Sequence, residues 1–172
     1  MLHELTAESV YTAPGEAWSY GCVIARMSVL AETGEARIER LVWVDDAGRI
    51  ISPRLAEGQL HGGLAQGIGQ AMLERIVYDE SGQLLTGSFL DYALPRAADM
   101  PPLVIESLCI PATANALGAK GVGEAGTIGV PAALLNAAID ALSPFHVTDL
   151  DFPLTAQRLW RTIDRSTKEP SP

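Results

Sequence analysis

The alternation of apolar and polar positions in the first part of the chain predicts a β-hairpin. Residues 22–30 and 36–44 are rich in β-branched and other apolar side chains, and they flank a turn-like segment at 32–35. One face of the first run would carry the apolar residues Val23, Ala25, Met27 and Val29. Asp45 and Asp46 then interrupt the pattern, and we expect them to be turn or cap residues.

Helical spacing of apolar residues follows between residues 62 and 75, while Pro53 is expected to end a short extended run and begin a connecting loop. The predicted helix contains four glycines, Gly62, Gly63, Gly67 and Gly69. Each glycine costs about 1 kcal/mol relative to alanine inside a helix. Two explanations remain open: the glycines allow close packing against a neighbouring backbone, or a ligand lies against the bare helix surface.

The rest of the chain alternates between further strand and helix candidates. Residues 76–78 and 83–85 predict a second hairpin, and residues 103–110 predict a strand. Pro131 is well placed as a first helical residue, and an apolar stripe follows it. A short amphipathic segment at 155–163 precedes a polar tail that we expect to be flexible.

Composition narrows the classes of partner. The 172 residues carry 12 Lys and Arg against 21 Asp and Glu, a formal net charge of −9, without a basic cluster. Nucleic acid and anionic membranes are therefore poor partners. The apolar runs are far shorter than the roughly 20 residues of a membrane span, and residues 1–20 lack the basic pattern of an export signal. Cys22 and Cys109 are isolated in apolar runs, which favours buried free thiols in a reducing cytoplasm.

The most unusual stretch is the glycine-rich segment 115–129, which places one carboxylate, Glu124, in a loop that is mostly backbone. Such a loop would aim Glu124 into a cavity, where apolar surroundings raise the pKa of a carboxyl and make it a suitable general base. A flexible surface loop with a solvated Glu124 is the alternative. Residues 121–126 also satisfy G-x-G-x-x-G, but no hydrophobic strand precedes them directly, which disfavours a dinucleotide-binding turn.

Two segments carry a resemblance to a known family. Residues 118–124, Gly-Ala-Lys-Gly-Val-Gly-Glu, followed by the Pro131 helix, resemble the catalytic-glutamate segment of the large, molybdenum-binding subunit of the xanthine oxidase family. The resemblance is particularly to the bacterial branch that is similar to aerobic carbon monoxide dehydrogenase. Residues 58–71 resemble the glutamine-and-glycine helix of that family, and residues 89–95 match in order and spacing, as do residues 152–155.

The resemblance implies a molybdenum hydroxylase or dehydrogenase in which Glu124 is the base that activates Mo–OH. By residue-by-residue transfer, the cofactor-binding residues would be Gln66, Gly67, Lys120, Gly121, Val122 and Gly123. The last four would offer backbone amides to the pterin, although Lys120 would equally suit a surface ion pair. His3, His61 and His146 lack metal-ligand spacing, so we expect no metal bound by protein side chains alone.

The resemblance also implies a fold and a domain organisation. We expect an α+β domain over residues 20–163, with mixed β-sheets and packed helices, as in the C-terminal molybdenum-cofactor-binding domain of the family. Residues 1–19 would be a lead-in and residues 164–172 a flexible tail. Family large subunits are several times longer, so this chain corresponds to their C-terminal portion.

Further chains would then have to complete the enzyme. The expected partners are the remainder of the molybdopterin-binding subunit, an iron–sulfur subunit and an FAD subunit, since the chain has no family iron–sulfur cysteine motif. The expected cofactor is molybdopterin with Mo. The resemblance of the sequence to bacterial members of the family favours the cytosine dinucleotide form of this cofactor. The substrate would be an aldehyde, an N-heterocycle or a similar small molecule. The alternative is a non-catalytic interaction module or a decayed fragment of such a subunit.

Overall fold

The computed structural model describes residues 6–168 and contains a three-stranded mixed sheet. Strands β1 (Tyr20–Leu30) and β2 (Glu35–Asp46) form the antiparallel hairpin that the sequence predicts. Strand β3 (Leu103–Ser107) pairs with β2 in parallel, giving the order β1-β2-β3. The predicted first hairpin is therefore confirmed, with β2 extending over Glu35–Asp46, three residues longer than the run at 36–44.

The two faces of β1 have different environments. The side that faces the helices carries the alternating residues Val23, Ala25, Met27 and Val29, all buried or half-buried, as predicted. The opposite side is exposed and includes Ile24, whose surface is 64% accessible. Half-burial of this kind explains why the alternation is visible in the sequence.

Four helices follow in the order α1 (Pro53–Met72), α2 (Ala125–Ile128), α3 (Val130–Ala141) and α4 (Ala156–Lys168). Helix α1 starts at Pro53, so our expectation of a loop there and of a helix beginning at residue 62 is wrong. Proline is tolerated in the first turn of a helix because the N–H that it lacks would have no intrahelical acceptor. Pro131 likewise lies in the first turn of α3, as predicted.

The helices pack on one side of the sheet around a single core. Helix α3 packs on β1, α4 contacts β2, and α1 packs against α2 and α3. Fully buried leucines from every layer, among them Leu41, Leu64, Leu134 and Leu159, form the centre of this core. The expected α+β class is confirmed.

Several local predictions need correction. The second hairpin lies where it was predicted, with an antiparallel bridge between Tyr78 and Leu84, but it is too short to form two strands. Strand β3 ends at Ser107, short of Ile110. Helix α4 continues to Lys168, so the expectation of a flexible tail is wrong for residues 164–168, while residues 169–172 lie outside the described part.

Both cysteines of the chain lie at the surface. Cys22 and Cys109 are free, but both are exposed rather than buried as expected. Cys22 points to the open face of β1, opposite to the neighbouring Val23. Within residues 6–168, no helix combines the length and apolar character that crossing a membrane requires.

Candidate functional site

Glu124 lies at the edge of an apolar cavity of about 560 Å³. The aromatic side chains Trp18, Tyr20 and Trp43 line this cavity together with glycines of the segment 121–129. The expectation that Glu124 faces a cavity agrees with this position. The expectation that its neighbours bury it does not, because Glu124 itself is exposed among the residues that the structure describes.

The loop before Glu124 leaves a run of backbone donors free. The N–H groups of Gly121, Val122, Gly123 and Glu124 have no acceptor among residues 6–168. Lys120 differs, because its N–H donates to the carbonyl oxygen of Ala47 at 2.9 Å. The donors available to a ligand are therefore those of residues 121–124, one position later than the run 120–123 that we expected.

The glycines at 121 and 123 give a ligand room to approach these donors. A Cβ added to Gly121 or Gly123 would meet no atom within 4 Å in the described structure, and both residues are exposed. Val122 between them is half-buried and packs against the core. Packing of the Val122 side chain thus holds the loop in place, while the glycines on either side leave the main chain accessible.

Four of the five glycines of α1 divide into two pairs with different roles, while the fifth, Gly69, is buried against Glu74 and Pro95. Gly63 and Gly67 are buried against the 126–130 segment, where a Cβ on Gly67 would lie 2.7 Å from the Cβ of Val130. Close helix packing therefore explains these two glycines, and the expected contact of Gly67 with the cofactor remains a prediction. Gly58 and Gly62, by contrast, have open space in front of them and leave a bare surface.

Gln66 lies on the exposed side of α1 and makes no hydrogen bond among the described residues, so its side-chain amide is available to a ligand. A second glutamine, Gln59, was not singled out from the sequence. Its Nε2 donates to the carbonyl oxygen of Gly123 at 2.6 Å and ties α1 to the residue preceding Glu124. The two residues are 64 positions apart, so no local pattern could have indicated this contact.

Lys120 forms an ion pair, but a buried one rather than the surface pair that was the alternative to cofactor binding. Its Nζ lies 2.8 Å from Oδ2 of Asp46, and the two side chains are 9% and 0% exposed. Asp46 accepts the Gly48 N–H at 2.9 Å, as a turn residue would, so that part of the expectation holds. Its burial and its pairing with Lys120 were not predicted.

Asp46 and its neighbour Asp45 have opposite pKa shifts. Burial favours the neutral form of Asp46, but hydrogen bonds from Lys120, Gly48, Tyr20 and Ile110 outweigh it and lower the pKa to about 2. For Asp45, burial raises the pKa, and the hydroxyl of Ser107 on β3 only partly opposes it. Neither Asp45 carboxylate oxygen has a well-formed hydrogen bond within the described residues.

Comparison with known proteins places the chain in a family. Residues 2–101 match the molybdopterin cofactor-binding domain. The nicotine 6-hydroxylase large subunit of Paenarthrobacter nicotinovorans is 44% identical over 75% of this chain and 16% of its own length. The carbon monoxide dehydrogenase large chain of Afipia carboxidovorans is 35% identical over 91% of this chain and 19% of its own.

Solved structures of molybdenum enzymes have a similar fold over most of this chain. A crystal structure of the Cu,Mo-CO dehydrogenase superposes with a TM-score of 0.87 at 34% identity, covering 91% of this chain and 20% of that one. Quinoline 2-oxidoreductase from Pseudomonas putida gives a TM-score of 0.75 at 39% identity, over 79% of this chain and 17% of that one. The chain belongs to the molybdopterin cofactor-binding domain family, and it spans about a fifth of the length of these relatives.

Proposed function

We propose that this chain forms one wall of the active site of a molybdenum hydroxylase or dehydrogenase. The observation that carries the proposal is the loop 121–124, where four N–H groups without an acceptor in residues 6–168 lead directly to the exposed carboxylate of Glu124. A pterin ring system with phosphate groups presents many hydrogen-bond acceptors. Consecutive backbone donors in front of open space suit such a group.

Three residues of this chain are proposed to hold the cofactor. Gly121 and Gly123 offer main-chain donors, and Gln66 on α1 offers an unpaired side-chain amide. The open surface at Gly58 and Gly62 leaves space beside that helix. When bound, the molybdenum cofactor supplies the two-electron redox chemistry. We propose the cytosine dinucleotide form, because the motifs of this chain resemble those of bacterial enzymes.

Glu124 is proposed as the general base. Hydroxylation with oxygen derived from water requires removal of a proton from that oxygen, and a carboxylate at the edge of a cavity can accept it. Here Glu124 is exposed, so the base becomes shielded from water only when another part of the enzyme covers the cavity. The covered state is proposed to be the reactive one, because exclusion of water strengthens the electrostatic interactions within a site.

Exposed apolar side chains support a proposed assembly with the remainder of the molybdopterin-binding subunit. Large side chains that are more than 70% exposed include Val10, Trp18, Leu55, Phe89, Leu90 and Ile128. Exposed apolar side chains of this size are typical of interfaces where they share a patch. Ile128 and Trp18 both border the Glu124 cavity, so a partner seated there would close it. Iron–sulfur and FAD subunits are proposed to carry electrons away.

The proposed substrate is an aldehyde, an N-heterocycle or a similar small molecule. The same exposed surface also favours a second function, a non-catalytic module that docks on a partner without turnover. An enzyme needs Glu124 for turnover, whereas a docking module does not. Substitution of that one carboxylate therefore separates the two.

The test is Glu124→Gln in the complex purified from the native host, with Glu80→Gln in an exposed turn as the matched control. We expect substrate-dependent dye reduction to fall by roughly 10²–10⁴-fold in Glu124→Gln, the usual contribution of a general base. Molybdenum per protein should not change, and the control should keep full activity. Undiminished turnover in Glu124→Gln would refute the role of Glu124 as base, and absence of turnover in the unaltered complex would favour the docking module.

A further inference from the structure

One carboxylate at the end of β2 joins three segments of the chain. Oδ1 of Asp46 accepts hydrogen bonds from the N–H groups of Gly48 and Ile110, each at 2.9 Å. Oδ2 accepts a hydrogen bond from Nζ of Lys120 at 2.8 Å. The Asp46 side chain is fully buried, so these three donors and the hydroxyl of Tyr20 replace the water that its charge would otherwise require.

Lys120 is held at both its side chain and its backbone. Its ammonium lies 4.8 Å from the centroid of the Tyr20 ring, whose negative face stabilises a cation. Its N–H donates to Ala47, and Gly48 and Ala119 form an antiparallel bridge next to it. The segment that leads to Glu124 is therefore fastened to the residues following β2.

Beyond Lys120 the loop has few other anchors. The N–H groups of residues 121–124 find no acceptor in the described structure, and the carbonyl of Gly123 is held by the side chain of Gln59. The position of Glu124 thus depends on Lys120 at one end of the loop. At the other end it depends on the contact of α2 with α1.

We infer that the Asp46–Lys120 pair is a positioning device for the loop 120–124, and that it sets the location of the Glu124 carboxylate and of the free amides. The inference rests on the proposed function. Burial of two charges costs desolvation energy that their attraction repays only in part, so such a pair is a weak means of adding stability. Because it connects the ends of distant segments, it selects one geometry of the loop.

The test removes both charges together with Asp46→Asn/Lys120→Met in the assembled complex. Loss of one partner alone would leave the other charge buried and unpaired, and the protein could then fail to fold. Asparagine keeps an oxygen for Gly48 and Ile110, and methionine approximates the stem of lysine. The matched control is Arg26→Met/Glu39→Gln, which removes an exposed pair at 2.8 Å on the β1–β2 hairpin.

Two readouts are needed, and one of them is independent of turnover. We call the contact between residues 47–49 and residues 112–120 the junction. Amide hydrogen exchange reports on it directly, because the N–H groups of Arg49 and Ala112 both donate to the carbonyl oxygen of Gly118 and that of Lys120 donates to Ala47. We expect exchange at these three amides to accelerate by about tenfold or more in the double variant, with α3 unchanged. At equal molybdenum content, kcat should fall on the order of tenfold to a hundredfold while KM stays nearly constant.

Unchanged exchange at the junction would overturn the inference. Equal acceleration across the junction and α3 would also overturn it, since that pattern indicates a general loss of stability. Lys120→Arg keeps the cation and should retain most of the protection at the junction. If Glu124→Gln remains active while the junction amides of the double variant exchange faster, the loop is positioned by the pair but the proposed function is wrong.

Discussion

Gly63 on α1 packs directly against the backbone of Gly126 on α2, so closely that a Cβ on Gly63 would lie 2.9 Å from the Cα of Gly126. This contact joins the glycine-rich helix to the short helix that begins after Glu124. It explains why a helix near the candidate site tolerates glycine. The position of Glu124 is therefore coupled to a backbone contact that any side chain would disturb.

Gly63→Ala is expected to lower the free energy of unfolding. Backbone atoms of Gly126 cannot move as a flexible side chain would, and overpacking of this kind costs about 1–3 kcal/mol. Gly62→Ala is the matched control on the same helix, because a Cβ there meets no described atom within 4 Å. It should stabilise the protein by roughly 0.5–1 kcal/mol through helix propensity. Thermal unfolding of both variants measures the difference, and equal stabilisation by both would contradict the packing role of Gly63.

The buried carboxyl of Asp45 predicts a dependence of stability on pH. Burial raises its pKa in the folded protein, so the stability that it contributes is present at low pH and is lost as the pH rises through the folded pKa. Asp45→Asn removes the charge that has to be buried at neutral pH. We expect the variant to have a higher Tm than the unaltered protein at pH 7, with the advantage shrinking at lower pH. A variant that is less stable by the same margin at both pH values would contradict this account.

Gln66→Ala tests the side-chain contact proposed for α1. A hydrogen bond has a net value of about 1 kcal/mol, so its loss should speed release of the cofactor by roughly fivefold. Gln157→Ala on the exposed surface of α4 is the control. Molybdenum retained per protein after prolonged dialysis measures the effect. Equal retention in both variants would remove Gln66 from the list of cofactor contacts.

Elements with a strong local pattern could be predicted from the sequence. The alternation at Val23–Val29 arises because β1 has one buried and one exposed face, and the stripe after Pro131 arises because α3 packs on that strand. The start of α1 could not be found in this way. Its first turns are exposed at Arg54 and Leu55 and carry no apolar period.

The candidate site was only partly visible in the sequence. The glycine-rich loop and Glu124 stand out because few other segments combine so many glycines with one carboxylate. Asp46 and Gln59 do not stand out in the sequence. Their roles come from contacts with partners that lie 74 and 64 positions further along the chain. An acidic residue after an apolar strand ordinarily indicates a turn, and Asp46 does accept a turn N–H. Its buried ion pair with Lys120 depends on the fold, which brings the two residues together.

We propose that this chain contributes to a molybdenum cofactor site that other chains complete. Metal and flavin analysis of the affinity-tagged chain, purified from its native host with the chains that accompany it, tests this proposal. We expect stoichiometric molybdenum together with chains that show iron–sulfur and flavin absorbance. A solitary chain free of molybdenum would refute the proposal.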